Sequence, residues 1–235
     1  MTFLRLTLYL TLVLLLLLFL FVSPVFRIRY IEVSGNHRLS FEDIQTLSDI
    51  NTGQNILSFG SRASVNALAA HPYIASAHIS RHFPDTVAIE IVERLPIASI
   101  QLNNSSTYLL IDDMGFVLSV SAWPLLGLPV IEGVKVGSFS IGSQLEIDLN
   151  RAMGSFISLS RILRRYDISA DSIDITNELD IIINVDDKII YFGNMDNADR
   201  RAQSLAGILG QLPRYGRGFI FIRETDTFPR FVPIR

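Results

Sequence analysis

The chain contains no cysteine. Disulfides, thiol nucleophiles and Cys-type zinc sites are therefore excluded. Lysine is almost as scarce: Lys135 and Lys188 are the only two. Neither completes a Ser-x-x-Lys, so the penicillin-binding signature is missing. There is no phosphate loop, no Gly-x-Gly-x-x-Gly and no His-Glu-x-x-His. The stretch Gly137-Ser138-Phe139-Ser140-Ile141-Gly142 lacks the spacing of a serine elbow. Of the four histidines, His78 and His82 stand four apart in a strand pattern. At ~3.3 Å per residue their side chains are about 13 Å apart, too far to share a metal. His37 and His71 fall at a turn and a helix end. Asp112-Asp113 and Asp186-Asp187 read as turn pairs, because adjacent strand residues point to opposite faces. No enzyme activity, cofactor or metal is expected.

The charge balance excludes a further class. Lys and Arg number 20 against 23 Asp and Glu, a formal net charge of −3. A nucleic-acid binder would show a basic face. The basic residues are almost all arginine, which suits planar, multidentate contacts at interfaces.

A long apolar run is present. After Arg5 no charged residue occurs until Arg27, and Leu6–Phe26 is dominated by leucine. As a helix this run spans roughly the ~30 Å hydrocarbon core of a bilayer. A cleaved signal peptide would be shorter and would end in a small-x-small site. Phe21-Val22-Ser23 does not supply one, and Pro24 follows it. A retained transmembrane helix is the expectation, over residues 6–26, with residues 1–5 as a short tail. Flanking charge leaves its orientation open: Arg5 lies on one side, and Arg27, Arg29 and Arg38 on the other.

The rest of the chain is patterned and globular. Ile28–Val33 alternates like a strand, and Ser34-Gly35-Asn36 closes it. Ser40 can cap a helix with Asp43 reaching back; Phe41, Ile44 and Leu47 form its expected buried stripe. Ser61 is placed as the cap of a second helix with Val65, Leu68 and Ala69 inward, ending before Pro72. A hairpin follows, with Ile74, Ala77, Ile79 and Phe83 on one strand and Val87–Glu93 as the other. Pro84-Asp85 makes its turn, and Pro96 closes the unit. The order is β-α-α-β-β, with two helices on one face of a three-stranded sheet.

Further on, Tyr108–Asp112 and Phe116–Val120 read as a second hairpin. A helix from about Leu149 to Tyr166 would turn Phe156, Leu159, Ile162 and Leu163 inward. Strands Ser172–Thr176, Leu179–Val185 and Lys188–Phe192 follow. Next comes a helix of about Ala198–Leu212 with Leu205, Ile208, Leu209 and Leu212 inward. Phe219–Arg223 and Phe228–Ile234 end the chain as strands.

These runs carry a resemblance. Ile31-Glu32-Val33-Ser34-Gly35-Asn36, Pro72-Tyr73-Ile74-Ala75-Ser76-Ala77 and Arg81-His82-Phe83-Pro84-Asp85-Thr86 look like a POTRA domain. Glu93-Arg94-Leu95-Pro96-Ile97-Ala98 resembles the Glu-Arg-x-Pro-x-Ala segment that closes this domain in FtsQ/DivIB cell-division proteins. The Ile111–Val117 and Leu128–Gly133 segments agree. The likeness runs over nearly the whole chain. It implies an α+β protein with a single N-terminal transmembrane helix. A POTRA domain would occupy residues 27–96, and a β-rich FtsQ-type domain with two helices residues 97–235. It also implies a body facing the periplasm, with the N-terminus inside, at the septum of the cytoplasmic membrane. One departure stands out: Phe221 occupies a place where the family usually carries Asp, although Arg223 is kept.

The last strand carries two prolines, Pro229 and Pro233, and proline is confined to sheet edges. An apolar edge invites strand addition by a partner. Phe228, Phe231 and Val232 would supply anchors, and Arg230 would meet an acidic group. The resemblance adds Phe219, Phe221 and Arg223 on the neighbouring strand and Arg200 on the preceding helix. It also names the partners: FtsB/DivIC-like and FtsL-like coiled-coil divisome proteins. The implied role is a non-catalytic divisome scaffold that helps control septal peptidoglycan synthesis. The alternative is a POTRA-containing transport or outer-membrane assembly factor. It is disfavoured because about 140 residues with two helices and short strands follow the POTRA unit, too little for a membrane barrel. The POTRA sheet offers a second edge, for which the sequence selects no residues.

Overall fold

The structure, a computed structural model, describes residues 2–102, 105–134, 136–145, 150–212, 216–223 and 229–234. Within the helices, the side chains of 2–4, 17–18, 20–22 and 150–153 are outside the description. The chain divides into two compact units, Met1–Arg94 and Leu95–Arg235.

The first unit opens with helix α1 (Thr2–Val22). The expected transmembrane helix is corrected here: among the described residues, no helix is long and apolar enough to cross a membrane. Between residues 5 and 11, α1 carries Arg5, Thr7, Tyr9 and Thr11, one charge and three hydroxyls in an otherwise apolar run.

Strand β1 (Tyr30–Ser34), helices α2 (Phe41–Ser48) and α3 (Ser61–Ala69), and strands β2 (Ile74–His82) and β3 (Thr86–Glu93) follow. The sheet order is β1-β3-β2, with β1 parallel and β2 antiparallel to the central β3. Val87, Ile89 and Ile91 of β3 are buried, and Ile28, Ile44, Ile50, Ile56, Leu68 and Ile74 join them in one core. Alternation along β3 thus gives one dry face, which α2 and α3 cover. Ser40 caps α2 as expected: its Oγ accepts the Asp43 N–H, and the Asp43 carboxylate accepts the Ser40 N–H.

Three local expectations differ. Phe41, at the first position of α2, is exposed. Ser61 is the first helical residue of α3 and Gly60 its cap, without a side-chain bond. Ser64 and Leu68 are the buried positions of α3, whereas Ala69 is exposed. The helix is rotated by about one residue from the expected stripe, because a nine-residue helix with few apolar side chains is weakly patterned.

Gly35 is set by geometry. Its φ is +80°, and an added Cβ would lie 1.9 Å from the Ile91 carbonyl oxygen. The β1–α2 loop therefore passes directly over β3, which only glycine permits. Two charge-assisted bonds hold the same loop: the N–H groups of Arg38 and Leu39 donate to the Glu93 carboxylate at 2.8 and 2.9 Å.

The second unit contains β4 (Pro96–Gln101), β5 (Tyr108–Asp112), β6 (Val117–Ser121), β7 (Val130–Glu132), α4 (Asn150–Arg165), β8 (Ser172–Asp174), β9 (Ile181–Val185), β10 (Lys188–Gly193), α5 (Ala198–Gln211), β11 (Gly218–Phe221) and β12 (Arg230–Pro233). Among the described residues the strands form one nine-stranded sheet of order β12-β11-β10-β9-β8-β7-β4-β5-β6. A single cross-sheet row explains its cohesion. Ile100, Ile131, Ile173, Ile183, Ile190 and Ile220 lie in register on six successive strands. All six are fully buried. Each contributes about 2 kcal/mol of burial as an upper estimate. Phe156, Leu159 and Leu163 of α4 and Ala198, Ala202 and Leu205 of α5 belong to the same core, so both helices cover this face. Asp112 closes the β5–β6 hairpin by accepting the N–H groups of Met114 and Phe116.

Candidate partner-binding edge

Strand β12 is the edge of the sheet, where its prolines predicted it. It runs antiparallel to β11, pairing Phe221 with Arg230, Ile220 with Phe231, Phe219 with Val232 and Gly218 with Pro233. The Ile234 N–H donates to the Arg217 carbonyl at 3.0 Å. Antiparallel hydrogen bonding alternates, so residues 230, 232 and 234 turn their backbone groups toward β11. Residues 229, 231 and 233 turn theirs outward. Both prolines thus sit where a missing N–H costs the ladder nothing. Within Pro229–Pro233 the outward edge offers three carbonyls and one donor, the Phe231 N–H.

The side chains alternate in the opposite sense. Phe231 continues the isoleucine row: it faces Ile220 and packs against the core. Its ring lies over Gly218, where a Cβ would come within 2.2 Å of Cε2. Val232 and Arg230 point to the other face and are exposed.

On that face four groups stack in series. The Arg223 guanidinium lies 4.6 Å from the Tyr191 ring centroid. Tyr191 and Phe221 are nearly parallel, 5.0 Å apart at 8°. The Arg230 guanidinium lies 5.1 Å from the Phe221 ring. Phe219 leans on both rings at 6.1 and 6.4 Å. Arg223 also donates to Asp180 at 2.7 Å. Cation–π and aromatic pairs of this kind each contribute about 0.5–1.5 kcal/mol. The stack ties three strands together across their outer face.

The expected site residues therefore separate. Phe219, Phe221, Arg223, Arg230 and Val232 share the outer face. Phe231 faces the core. Arg200 is exposed on α5, which packs against the inner face, so the structure does not bring it to the stack. Phe228 lies outside the described residues. Phe221, the departure from the family pattern, acquires a contact: it is the ring between Tyr191 and Arg230.

Two features escaped the sequence reading. Tyr191 completes the stack, and strand alternation from Lys188 places it on the outer face. Arg201 is buried, 8% exposed, with its guanidinium 5.0 Å from the Phe192 ring and donating to the Asn194 carbonyl. It holds the turn from β10 into α5. Among the described residues no cluster of His, Asp or Glu could hold a metal ion.

The β-α-α-β-β unit with its loop clamped by Glu93 defines a POTRA-bearing protein. The family model described as "POTRA domain, FtsQ-type" matches residues 26–94. Curated relatives extend the match across the second unit. The chain is 28% identical over 216 residues to the cell division protein FtsQ of Syntrophotalea carbinolica, covering 90% of this chain and 75% of that one. It is 25% identical over 205 residues to the cell division protein DivIB of Clostridium botulinum strain Hall, covering 84% and 78%. A shorter stretch, 121 residues, is 32% identical to FtsQ of an Anaeromyxobacter species, covering 51% and 40%. The FtsQ-type POTRA domain and the relatives named FtsQ and DivIB over most of the chain support an FtsQ/DivIB family protein.

Proposed function

We propose that this protein is a non-catalytic scaffold of the division machinery. It works at the septum in association with the membrane. It recruits FtsB/DivIC-like and FtsL-like coiled-coil proteins by strand addition to β12, and so helps to control septal peptidoglycan synthesis. The observation that carries this reading is the outward edge of β12. Its backbone groups at Phe231 are directed away from β11, and it is flanked by the exposed Val232 and Arg230. An incoming strand bonds to this edge and lays alternate side chains beside Val232 and the Tyr191–Phe221 stack. The family likeness supports the cell-division role, and the missing nucleophile, phosphate and metal motifs support a binding role.

Val232 is 41% exposed and points away from the core, so Val232→Asp leaves the fold intact. A buried unpaired carboxylate at the contact weakens capture of an FtsB-like partner at least about tenfold, which is about 1.4 kcal/mol. Titration of the purified partner against wild type and variant measures this. Equal affinity, with unchanged circular dichroism, removes β12 from the interface.

A further inference from the structure

The end of the sheet opposite β12 carries an apolar projection. From Met114 to Ile131 the sequence has no charged residue. Within this stretch the loop between β6 and β7 displays Trp123 at 78% exposure and Leu126 at 94%. Val120 and Leu125 are exposed beside them. A side chain exposed to that degree stands on a convex tip and does not line a groove. Burying such a tip in water-free surroundings normally strands backbone donors, each at a cost. Here three of the loop's six N–H donors are already bonded within the chain. The Trp123 N–H donates to the Ser121 Oγ, the Leu125 N–H to the Ser99 Oγ and the Leu128 N–H to the Leu125 carbonyl. Pro124 has no N–H at all.

We infer that this loop docks into the interfacial region of a lipid bilayer, with Leu126 and Leu125 among the upper acyl chains and Trp123 at headgroup level. Four observations together favour lipid over a protein groove. The tip is convex, it has no charge to match, half of its backbone donors are bonded within the chain, and it pairs an indole with leucines as interfacial anchors do. The attraction is apolar. It therefore needs no anionic lipid and does not weaken with salt, which suits a chain of net charge −3. The contact is independent of partner capture at β12, the opposite edge of the sheet.

The chain has one tryptophan, so indole emission reports this loop alone. The full-length protein is reconstituted in phosphatidylcholine vesicles, with and without lipids brominated on the acyl chain. Blue-shifted emission that the brominated lipid quenches, at low and high salt alike, is the expected result. Leu126→Glu, at an exposed position that leaves the fold unchanged, loses both the shift and the quenching. Emission of the wild-type protein that is identical in plain and brominated vesicles overturns the inference. So does quenching that survives Leu126→Glu. No partner protein is present, so neither outcome bears on the β12 edge.

Discussion

Gly218→Ala tests whether the edge strand is held by the ring of Phe231. A Cβ on residue 218 would lie 2.2 Å from Phe231 Cε2, 2.5 Å from Cζ and 2.8 Å from the Val232 carbonyl oxygen. Real Cβ atoms do not come that close, so something must give. The ring can swing away, but the carbonyl belongs to the strand and moves only if β12 moves. If the ring leaves the end of the isoleucine row, a half-buried phenylalanine loses a share of the 1.5–3 kcal/mol that full burial provides. Overpacking elsewhere costs a similar 1–3 kcal/mol. A loss of about 1–3 kcal/mol is expected, seen in denaturant unfolding as a lower midpoint. Hydrogen exchange should locate it: the Ile234 N–H, bonded to Arg217, exchanges faster. The double-mutant cycle with Phe231→Ala is decisive. Removing the ring removes the two closest contacts and leaves only that with the Val232 carbonyl, so alanine at 218 costs less than in the wild type and the coupling energy is about 1 kcal/mol or more. Additive effects would refute the argument, because they would mean that residue 218 and the ring do not meet.

The POTRA unit supplies a pH prediction. Burial, the largest single influence on Glu93, pushes its carboxyl upward, but the N–H groups of Leu39, Arg38 and His37 and the nearby His37 charge outweigh it, so its pKa is lowered. A lowered carboxylate stabilises the fold above its unfolded pKa, and that stability is lost as pH falls through the folded value. Glu93→Gln should therefore lower the melting temperature near neutral pH, and the gap from wild type should close in acid. Ser40→Ala removes the α2 cap and should cost about 1 kcal/mol in denaturant unfolding. Gly35→Ala combines a positive φ with a backbone clash and should prevent stable folding of the POTRA unit, visible as lost chemical-shift dispersion. Arg223→Gln breaks both the Asp180 bond and the Tyr191 contact and should lower stability by about 1 kcal/mol, whereas Arg230→Gln, at an exposed position, should change it by less than about half of that.

Features with local causes could be read from the sequence. The capping box spans three residues, so Ser40 and Asp43 announce it without any tertiary information. The prolines at 229 and 233 marked an edge because proline constrains its own strand. Periodicity gave the β-α-α-β-β order. What the sequence could not supply was register. Alternation says that Phe231 and Val232 face opposite sides, but only the pairing with β11 decides which of them meets the core. Each is apolar, so composition offers no vote. The isoleucine row shows the same limit: six residues from six strands align through pairings that no local pattern encodes. Arg201 stands four residues before Leu205, on the inward stripe of α5, and an arginine can lie buried there because the Phe192 ring and the Asn194 carbonyl receive it. The leucine-rich N-terminus shows the reverse error: hydropathy alone suggested a membrane-spanning helix that the described residues do not contain.

The two prolines do more than mark the edge. An open strand is a template for pairing with any other strand, including a copy of itself. On β12 the outward positions are Pro229, Phe231 and Pro233, so two of the three potential donors are absent. Two such edges meeting antiparallel can close one reciprocal pair, at Phe231, and would set proline rings and donor-less carbonyls against each other on either side. Self-association is therefore poorly supported. A different strand, rich in free N–H groups, loses nothing: it donates to the carbonyls of 229, 231 and 233 and accepts once from Phe231. The outer stack works in the same direction. Tyr191, Phe221 and Arg230 are fixed by one another before a partner arrives, so less side-chain freedom remains to be lost on binding. An edge with one donor disfavours its own copy by backbone pattern, and the pre-ordered flank leaves the choice among other strands to side chains.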